Sequence, residues 1–362
     1  MLLGVDTGGT FTDFVYISEG EIQIHKVLST PKAPEQAILQ GIAELGVDDS
    51  RLLIVHGSTV ATNAVLEKKG VRCCFVTNHG LGDLLTIGRQ ARKELYNLNP
   101  APEAPPVERE LCLETAGRVS SKGELIETLS DAQLDDLIDS IKRLAPQSVA
   151  INLLFSFLND EAEKRIEAAI PNDIFVSRSS NVLAEYKEYE RGMATWLNAY
   201  VGPLVEGYLE RLCDSVKAKA VSVMQSSAGT IAANQAGEQA VRMLLSGPAG
   251  GLMAALHIGR IAGYERLLTL DMGGTSTDVA LLDGAISLTN EGKVAGYPVA
   301  VPMVDMHTIG AGGGSIASVD AGGLLCVGPE SAGAAPGPAC YGKGGVNVTV
   351  TDANLYLGRI SS

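Results

Sequence analysis

The sequence predicts an α/β layered fold in two related lobes, and three observations carry that prediction. Runs with strand character alternate with helical runs through the N-terminal half, as expected of helices layered on sheets. The pattern D-x-G-G-T-x-T-D occurs twice, as DTGGTFTD at Asp6 to Asp13 and as DMGGTSTD at Asp271 to Asp278. The 362 residues are 46% apolar, 19% charged and 5% aromatic, a chain able to bury two cores, which excludes disorder. Its 41 glycines follow no collagen-like period and gather beside apolar runs, as turns at a ligand site do.

The elements follow in order. Leu2 to Asp6 is an apolar strand and Thr7-Gly8-Gly9-Thr10 a tight turn. Phe11 to Ile17, rich in β-branched and aromatic residues, is the return strand of a hairpin. A third strand spans Glu21 to Leu28, followed by a helix from Ala33 to Leu45 and a strand at Leu52 to Val55. Next come a helix from Ala61 to Lys69 and a strand at Arg72 to Val76. The segment NLNPAPEAPPVE, Asn97 to Glu108, carries four prolines and is a loop or extended surface excursion. Residues 131–144 read as an amphipathic helix, 147–155 as a strand, 160–169 as a helix and 173–177 as a strand. Tyr189 to Cys213 is a long helix that Gly202-Pro203 should kink or break, with Glu188, Glu190 and Arg191 on a solvated face. The lobe boundary is placed just before it, giving lobes 1–185 and 186–362.

Each copy of the repeated motif sits between two apolar strands, so the repeat is a whole strand-turn-strand unit. Adjacent glycines, Gly8-Gly9 and Gly273-Gly274, let main-chain N–H groups approach a phosphate with no Cβ in the way. Thr10 and Thr275 offer hydroxyl donors. Asp6 and Asp271, where the strands end, would repel a bare phosphate but bind a hard cation or its coordinated water, so the constellation points to a Mg²⁺-nucleotide. Glycine hairpins with Asx-turn aspartates are the plainer explanation of one copy, and the second copy argues against it.

A net charge of −14 opposes non-specific nucleic-acid or anionic-membrane binding, both of which need a basic surface. No apolar stretch reaches the roughly 18 residues of a membrane span. The start, MLLGVDTGGTFTD, lacks the features of a signal peptide, so the cytoplasm is the expected compartment. Six scattered cysteines without a C-x-x-C pair read as reduced thiols, and five dispersed histidines show no metal-ligand spacing.

Beyond the hairpins, the sequence resembles the actin-like ATPase, sugar kinase and heat-shock chaperone superfamily, whose ribonuclease H-like lobes each offer a phosphate-binding hairpin to a nucleotide. Within it, the chain resembles the hydantoinase A / 5-oxoprolinase family. The residues that carry this are VDTGGTFTDFV, HGSTVATNAVLEKKG (His56 to Gly70), IGRQ (Ile87 to Gln90), LSGPAGG (Leu245 to Gly251), LDMGGTSTDVAL, TIGAGGGSIA (Thr308 to Ala317), GPESAGAAPGPACYGKGG and TVTDANLYLGRI. The resemblance implies an actin-like two-lobe fold with mixed sheets, its site in the cleft between the lobes. It also implies an ATP- and Mg²⁺-dependent subunit that phosphorylates a cyclic amide of the hydantoin or 5-oxoproline type for ring opening, with a hydantoinase B-type partner. A subunit of an acetone- or acetophenone-type carboxylase, or an ATP-binding module without activity of its own, are the alternatives. Family chains continue past LGRI into the glycine-rich turn that cups the adenosine, so the resemblance also implies a fragment with an incomplete second lobe. QSSAG, Gln225 to Gly229, departs from the Asn-Gly pair more usual there.

The site residues follow from both readings. Asp6 and Asp271 are the catalytic and metal-side carboxylates; Thr7, Gly8, Gly9, Thr10, Asp13, Gly273, Gly274, Thr275 and Asp278 form the nucleotide hairpins. The resemblance sets Gly312 and Gly313 beside the nucleotide and gives Thr59, Asn63 and Gln225 to the substrate. His56, before the polar turn Gly57-Ser58-Thr59, is the third catalytic candidate beside Asp6 and Asp271 and suits a substrate contact or a helix cap. Arg89 could grip a substrate carboxylate or sit in an exposed ion pair. Asp305 and His307 project to one side of a strand, as a metal pair or around a satisfied histidine. Gly337 to Lys343 approaches a P-loop but has Gly344 where Ser or Thr should bind the metal. Asp352 is a metal or hinge candidate by resemblance alone.

Overall fold

The computed structural model describes residues 1–8, 11–30, 33–91, 96–99, 104–333 and 336–360. The chain divides into two compact units, Met1–Ala249 with Thr289–Met303, and Gly250–Leu288 with Val304–Ser362.

The first unit opens with a meander, β1 (Leu2–Thr7), β2 (Phe11–Ser18) and β3 (Glu21–Leu28). Alternation along these strands sends Leu3, Val5, Phe14 and Tyr16 inward, beneath helix α1 (Pro34–Leu45), which contributes Ala37, Ile38 and Ile42. Gly41 of that helix is held to glycine by the Phe14 ring, since a Cβ there would lie 2.1 Å from a ring carbon. Strand β4 (Leu53–Ser58) then pairs parallel to β1 and leads into helix α2 (Val60–Leu66).

A second sheet is built from β5 (Cys73–Asn78), β6 (Cys112–Thr115), β7 (Ser148–Asn152) and β8 (Phe175–Arg178) in the order β8-β7-β5-β6, all parallel. Every residue of β5 and β7 is buried, as in parallel strands covered on both faces. Helix α3 (Asp131–Leu144) has a capping box of Ser130 and Gln133, and α4 (Glu161–Ala169) precedes β8. Residues 97–99 and 104–108 of the proline-rich segment carry neither helix nor strand; its remainder lies outside the described residues.

Helix α5 (Glu188–Ser215) corrects two expectations. It runs on through Gly202-Pro203 without a break. Gly202 lies against Phe175, where a Cβ would approach a ring carbon to 2.4 Å, and the carbonyl of Tyr200 accepts from Val71 N at 2.9 Å, so packing holds the helix across the proline. Nor is Arg191 solvated. It is 1% exposed and donates to Asn152 Oδ1 (3.0 Å), Glu185 O (2.9 Å) and Leu153 O (2.7 Å), acceptors around the end of β7 that satisfy its guanidinium. The helix before which the sequence reading draws its lobe boundary lies inside the first unit.

Strand β9 (Ala220–Met224) adds to β4 in parallel and turns back as β10 (Thr230–Ala232), completing the order β10-β9-β4-β1-β2-β3. Within the run β3-β2-β1-β4-β9 only β2 is reversed, the ribonuclease H-like arrangement. Residues 289–303 also belong to this unit; Val294, Val299, Val301 and Met303 are buried, and Tyr297 meets Trp196 edge-on at 5.2 Å.

Helix α6 (Ser246–Ala262) reaches the second unit from Gly250 onward. There β11 (Arg266–Met272), β12 (Thr277–Asp283) and β13 (His307–Ile309) repeat the antiparallel meander. A short helix, α7 (Val350–Tyr356), carries a second capping box, Thr349 with Asp352.

Candidate functional site

The two motif hairpins share one hydrogen-bonding plan. Asp6 stands opposite Asp13, and Asp271 opposite Asp278. Gly8 N donates to Phe11 O at 3.0 Å, and Gly273 N to Ser276 O at 2.9 Å. Gly9 and Thr10 lie outside the described residues. The second threonine of each motif is buried and tied to the chain just beyond the third strand. Thr12 donates to Ser29 Oγ (3.0 Å), which itself donates to Gly8 O (2.8 Å); Thr277 donates to Ala311 O (2.5 Å). The last aspartates are likewise engaged from the third strand: Asp13 pairs with Lys26 at 2.9 Å, and Asp278 accepts from Thr308 at 2.7 Å.

Around the first turn, sheet register brings Gly57 beside Asp6, and a Cβ at Gly57 would sit 2.9 Å from Asp6 Oδ1. Thr59 donates to Thr7 O at 3.1 Å and accepts from Asn63 Nδ2 at 3.2 Å. Thr59, Asn63 and the first hairpin are therefore one connected group. The LSGPAGG segment closes on its other side, with Ser246 Oγ donating to Ser58 O (3.2 Å) and Leu245 N to Thr62 Oγ1 (3.0 Å).

His56 lies beneath this group and is fully buried. Its Nδ1 lies 3.3 Å from Val5 O and its Nε2 2.7 Å from the Tyr208 hydroxyl. A carbonyl only accepts, so Nδ1 carries the proton and Nε2 accepts from Tyr208. Burial pushes the imidazole down to about 4 against the opposing pull of the Val5 carbonyl, so the ring is neutral, and burial also raises the Tyr208 phenol.

The second turn is braced from behind by glycines. Gly313 N donates to Gly273 O (2.9 Å) and Gly314 N to Gly274 O (2.6 Å). Side chains are excluded at this seam: a Cβ on Gly312 would lie 2.7 Å from Gly273 O, and one on Gly314 2.8 Å from Gly274 O. Thr351 in turn holds Gly313 O through its N (2.7 Å) and Oγ1 (2.8 Å). Ser315, buried, accepts from Gly312 N at 2.9 Å. Among the described residues nothing accepts from the N–H groups of Gly274 and Thr275. A fixed turn with free donors is a ready anion cradle.

Two family models together match most of this sequence. "Hydantoinase/oxoprolinase N-terminal region" covers residues 2–174, and "Hydantoinase/oxoprolinase" covers 191–362. The chain belongs to the hydantoinase/oxoprolinase family. Caprolactamase subunit alpha of Pseudomonas jessenii is 38% identical over 99% of this chain and 54% of its own length. Its crystal structure, an ATP-dependent caprolactamase, matches at TM-score 0.85 and 37% identity over all of this chain and 55% of that one. Nucleotide-free acetone carboxylase matches at 0.81 and 28% identity, again over 55% of its chain. The 5-oxoprolinase of Saccharomyces cerevisiae is 32% identical over 99% of this chain and 32% of its own. This member of the hydantoinase/oxoprolinase family thus spans about half the length, or less, of the relatives it matches.

The remaining expected residues are placed as follows. Arg89 is held by Glu190 through Nε at 2.9 Å and Nη2 at 2.5 Å, a bidentate pair that raises its pKa and, against burial, lowers that of Glu190. Gln225 opens the tight turn between β9 and β10, its N donating to Gly229 O at 2.8 Å. Asp305 and His307 are both exposed at the start of β13; among the described residues no three metal-ligating side chains converge. Gly337 to Lys343 holds one turn of 3-10 helix with no P-loop helix after it. Asp352 accepts from Thr349 N and Oγ1 (both 2.8 Å) and from Cys340 N (2.7 Å). Burial alone would raise its pKa, but the bonds from Cys340 and Thr349 hold the carboxyl well below the usual range, so it caps α7 and ties a loop.

Sequence reading missed Tyr208, Gly57, Ser246 and Thr351, and with them the roles of Lys26 and Thr308. The signal for the last two was present: each stands opposite the final motif aspartate in the third strand.

Proposed function

We propose that this chain is the ATP-using part of a cyclic-amide hydrolase. It holds phosphate oxygens of ATP at the second motif turn and directs the γ-phosphoryl group onto the carbonyl oxygen of a hydantoin- or 5-oxoproline-type ring. ADP leaves in that transfer, and the ring carbon bearing the phosphorylated oxygen is a better electrophile; water adds there, the C–N bond breaks as the nitrogen takes a proton, and a second water hydrolyses the resulting acyl phosphate to carboxylate and phosphate. The observation that carries this reading is the second turn, where the N–H groups of Gly274 and Thr275 have no acceptor among the described residues and stand on a loop fixed by Gly313, Gly314 and Thr351. Such preorganised donors are what phosphoryl transfer chiefly needs. The similarity to an ATP-dependent caprolactamase and to a 5-oxoprolinase supports the same chemistry.

Magnesium bound with ATP would spread the phosphate charge. Asp6 and Asp271 are the carboxylates offered to it or to its water, and single carboxylates suit an ion that takes its other ligands from phosphate and water. Thr59 and Asn63 border the substrate, while His56, buried, positions β1 rather than touching the ring. A B-type subunit supplies the ring-opening half of the reaction, in the cytoplasm where ATP is available.

Phosphate release with 5-oxoproline, hydantoin, caprolactam, or acetone plus bicarbonate, each with and without a B-type subunit, tests this. Stimulation by a cyclic amide is the expected result. Stimulation only by the ketone with bicarbonate would transfer the chain to the carboxylase reading that the acetone carboxylase likeness favours. No ATP binding by calorimetry would sink both. Asp271→Asn should lower Mg²⁺-ATP turnover by about 100-fold with an unchanged circular dichroism spectrum.

A further inference from the structure

Strand β8 ends its sheet, and the edge it leaves open lies in a cleft. In the order β8-β7-β5-β6 it has one neighbour, β7, to which it is parallel. Phe175 N donates to Gln147 O at 3.1 Å. In a parallel ladder alternate residues bond to the neighbour, so Phe175 and Ser177 face β7 while Val176 turns its N–H and C=O outward. Among the described residues nothing bonds to either group. A cavity of about 680 Å³ borders this edge, lined by all four residues of β8, by Glu167 of α4 and by Pro203, Glu206, Gly207 and Glu210 of α5.

The walls are acidic. Besides Glu167 they carry Asp173, Glu206, Glu210 and Glu238, and among the described residues lining the cleft Arg178 is the single cation. Its charge is already answered within the fold: Nε lies 2.7 Å from Glu167 Oε2 and Nη1 3.4 Å from Asp160 Oδ2. Asp173, Glu206, Glu210 and Glu238 take part in no ion pair among the described residues. Burial and the charges of Glu210 and Glu238 raise the Glu206 carboxyl, as happens when carboxylates crowd together without a cation. Helix α5 runs along the strand in the opposite sense: Asn198 Nδ2 donates to Ser177 Oγ at 3.0 Å, and Gly202, one turn on, lies against Phe175. Glu206 and Glu210 continue that helix face. They are one turn apart, about 6 Å, close to the roughly 6.6 Å between side chains on one side of a strand.

We propose that this cleft docks an extended basic peptide of a partner protein, which adds as a strand to the edge of β8 and sets Lys or Arg side chains at alternate positions against Glu206 and Glu210. Main-chain bonds to Val176 supply affinity, and the carboxylates select the side chains. Charge identifies the occupant. A neutral or acidic strand would leave the carboxylates unpaired, and the same edge of a second copy would bring its own carboxylates against them. The cleft lies wholly within the first unit, and its occupancy does not depend on the reaction proposed above.

Calorimetry on the full chain with the capped octapeptide TVTVKTKT tests the docking site. This peptide should bind about tenfold more tightly than TVTVETET, and about tenfold more tightly than its own form N-methylated on the amides of the TVTV half. At saturation it should slow amide exchange at Val176 about tenfold. Glu206→Gln combined with Glu210→Gln should weaken binding about tenfold without lowering the urea midpoint, because both side chains are exposed. Equal binding of the lysine and glutamate peptides, or no effect of the double substitution, would overturn the proposal. Equal binding of the N-methylated peptide would overturn strand addition and leave a site for cations alone. Self-association of the chain that protects Val176 and persists in excess peptide would overturn it in favour of a second copy.

Discussion

His56 was expected at the substrate or at a helix cap, and its surroundings make it a structural support instead. It stands directly opposite Val5 in the sheet, one residue before the pairing of Gly57 with Asp6, so its bonds to Val5 and Tyr208 fix the strand that presents the motif carboxylate. With the ring held near 4 in the fold and 6.5 in the unfolded chain, the unfolded chain takes up the proton first as pH falls. The stability that the neutral ring supplies is therefore complete above pH 6.5 and lost between 6.5 and about 4, amounting to about 3 kcal/mol. Urea midpoints measured across that window should fall with pH, and His56→Asn should flatten the slope. Tyr208→Phe leaves Nε2 without its donor and should cost about 1–2 kcal/mol of stability. The partnership was invisible in sequence because the two residues are 152 positions apart. Arg191 was misread for a related reason: a charged triad at a helix start looks solvated until the carbonyls that accept from it are known.

Among the elements, the hairpins were the most legible because the same eight residues occur twice, and strand, turn and return strand all lie within one short window. The brace behind the second turn was only half legible. A glycine cluster at 310–314 signalled close approach, but not that it would meet Gly273 and Gly274 by main-chain bonds. Gly312→Ala tests that seam. Its Cβ would meet carbonyl and main-chain atoms, which cannot rotate away, so the turn must shift. ATP affinity should fall at least tenfold by calorimetry, with a destabilisation of about 1–3 kcal/mol by thermal melting. Helix α5 shows the opposite limit of local reading, since Pro203 is a helix breaker by propensity and the ring of Phe175 and the Tyr200–Val71 bond decide otherwise.

For the whole molecule, alternation of strand and helix was enough to predict a layered α/β fold, and family likeness supplied the ribonuclease H-like order. The return of residues 289–303 to the first unit was not legible, because Val294, Val299 and Met303 read as ordinary strand residues with no mark of which core they enter. The two units are unequally buried. β5 and β7 have no exposed residue, whereas in β11 only Leu267 and Thr269 escape full exposure. Hydrogen exchange read by mass spectrometry should show the amides of β11 exchanging at least tenfold faster than those of β5 and β7.

The third-strand ties give the two motifs different responses to dissolved ions. Lys26 holds Asp13 by opposite charge, on a surface where about half of each side chain is in solvent, and mobile counterions screen such a pair. Thr308 holds Asp278 by a hydroxyl donor, which counterions hardly touch. Raising sodium chloride from about 0.05 M to about 1 M shortens the screening distance several-fold, so the β2–β3 pairing should loosen while β12–β13 does not. Exchange rates at Lys26 and at Thr308, followed along a salt titration, would make one copy of the duplicated device the reference for the other.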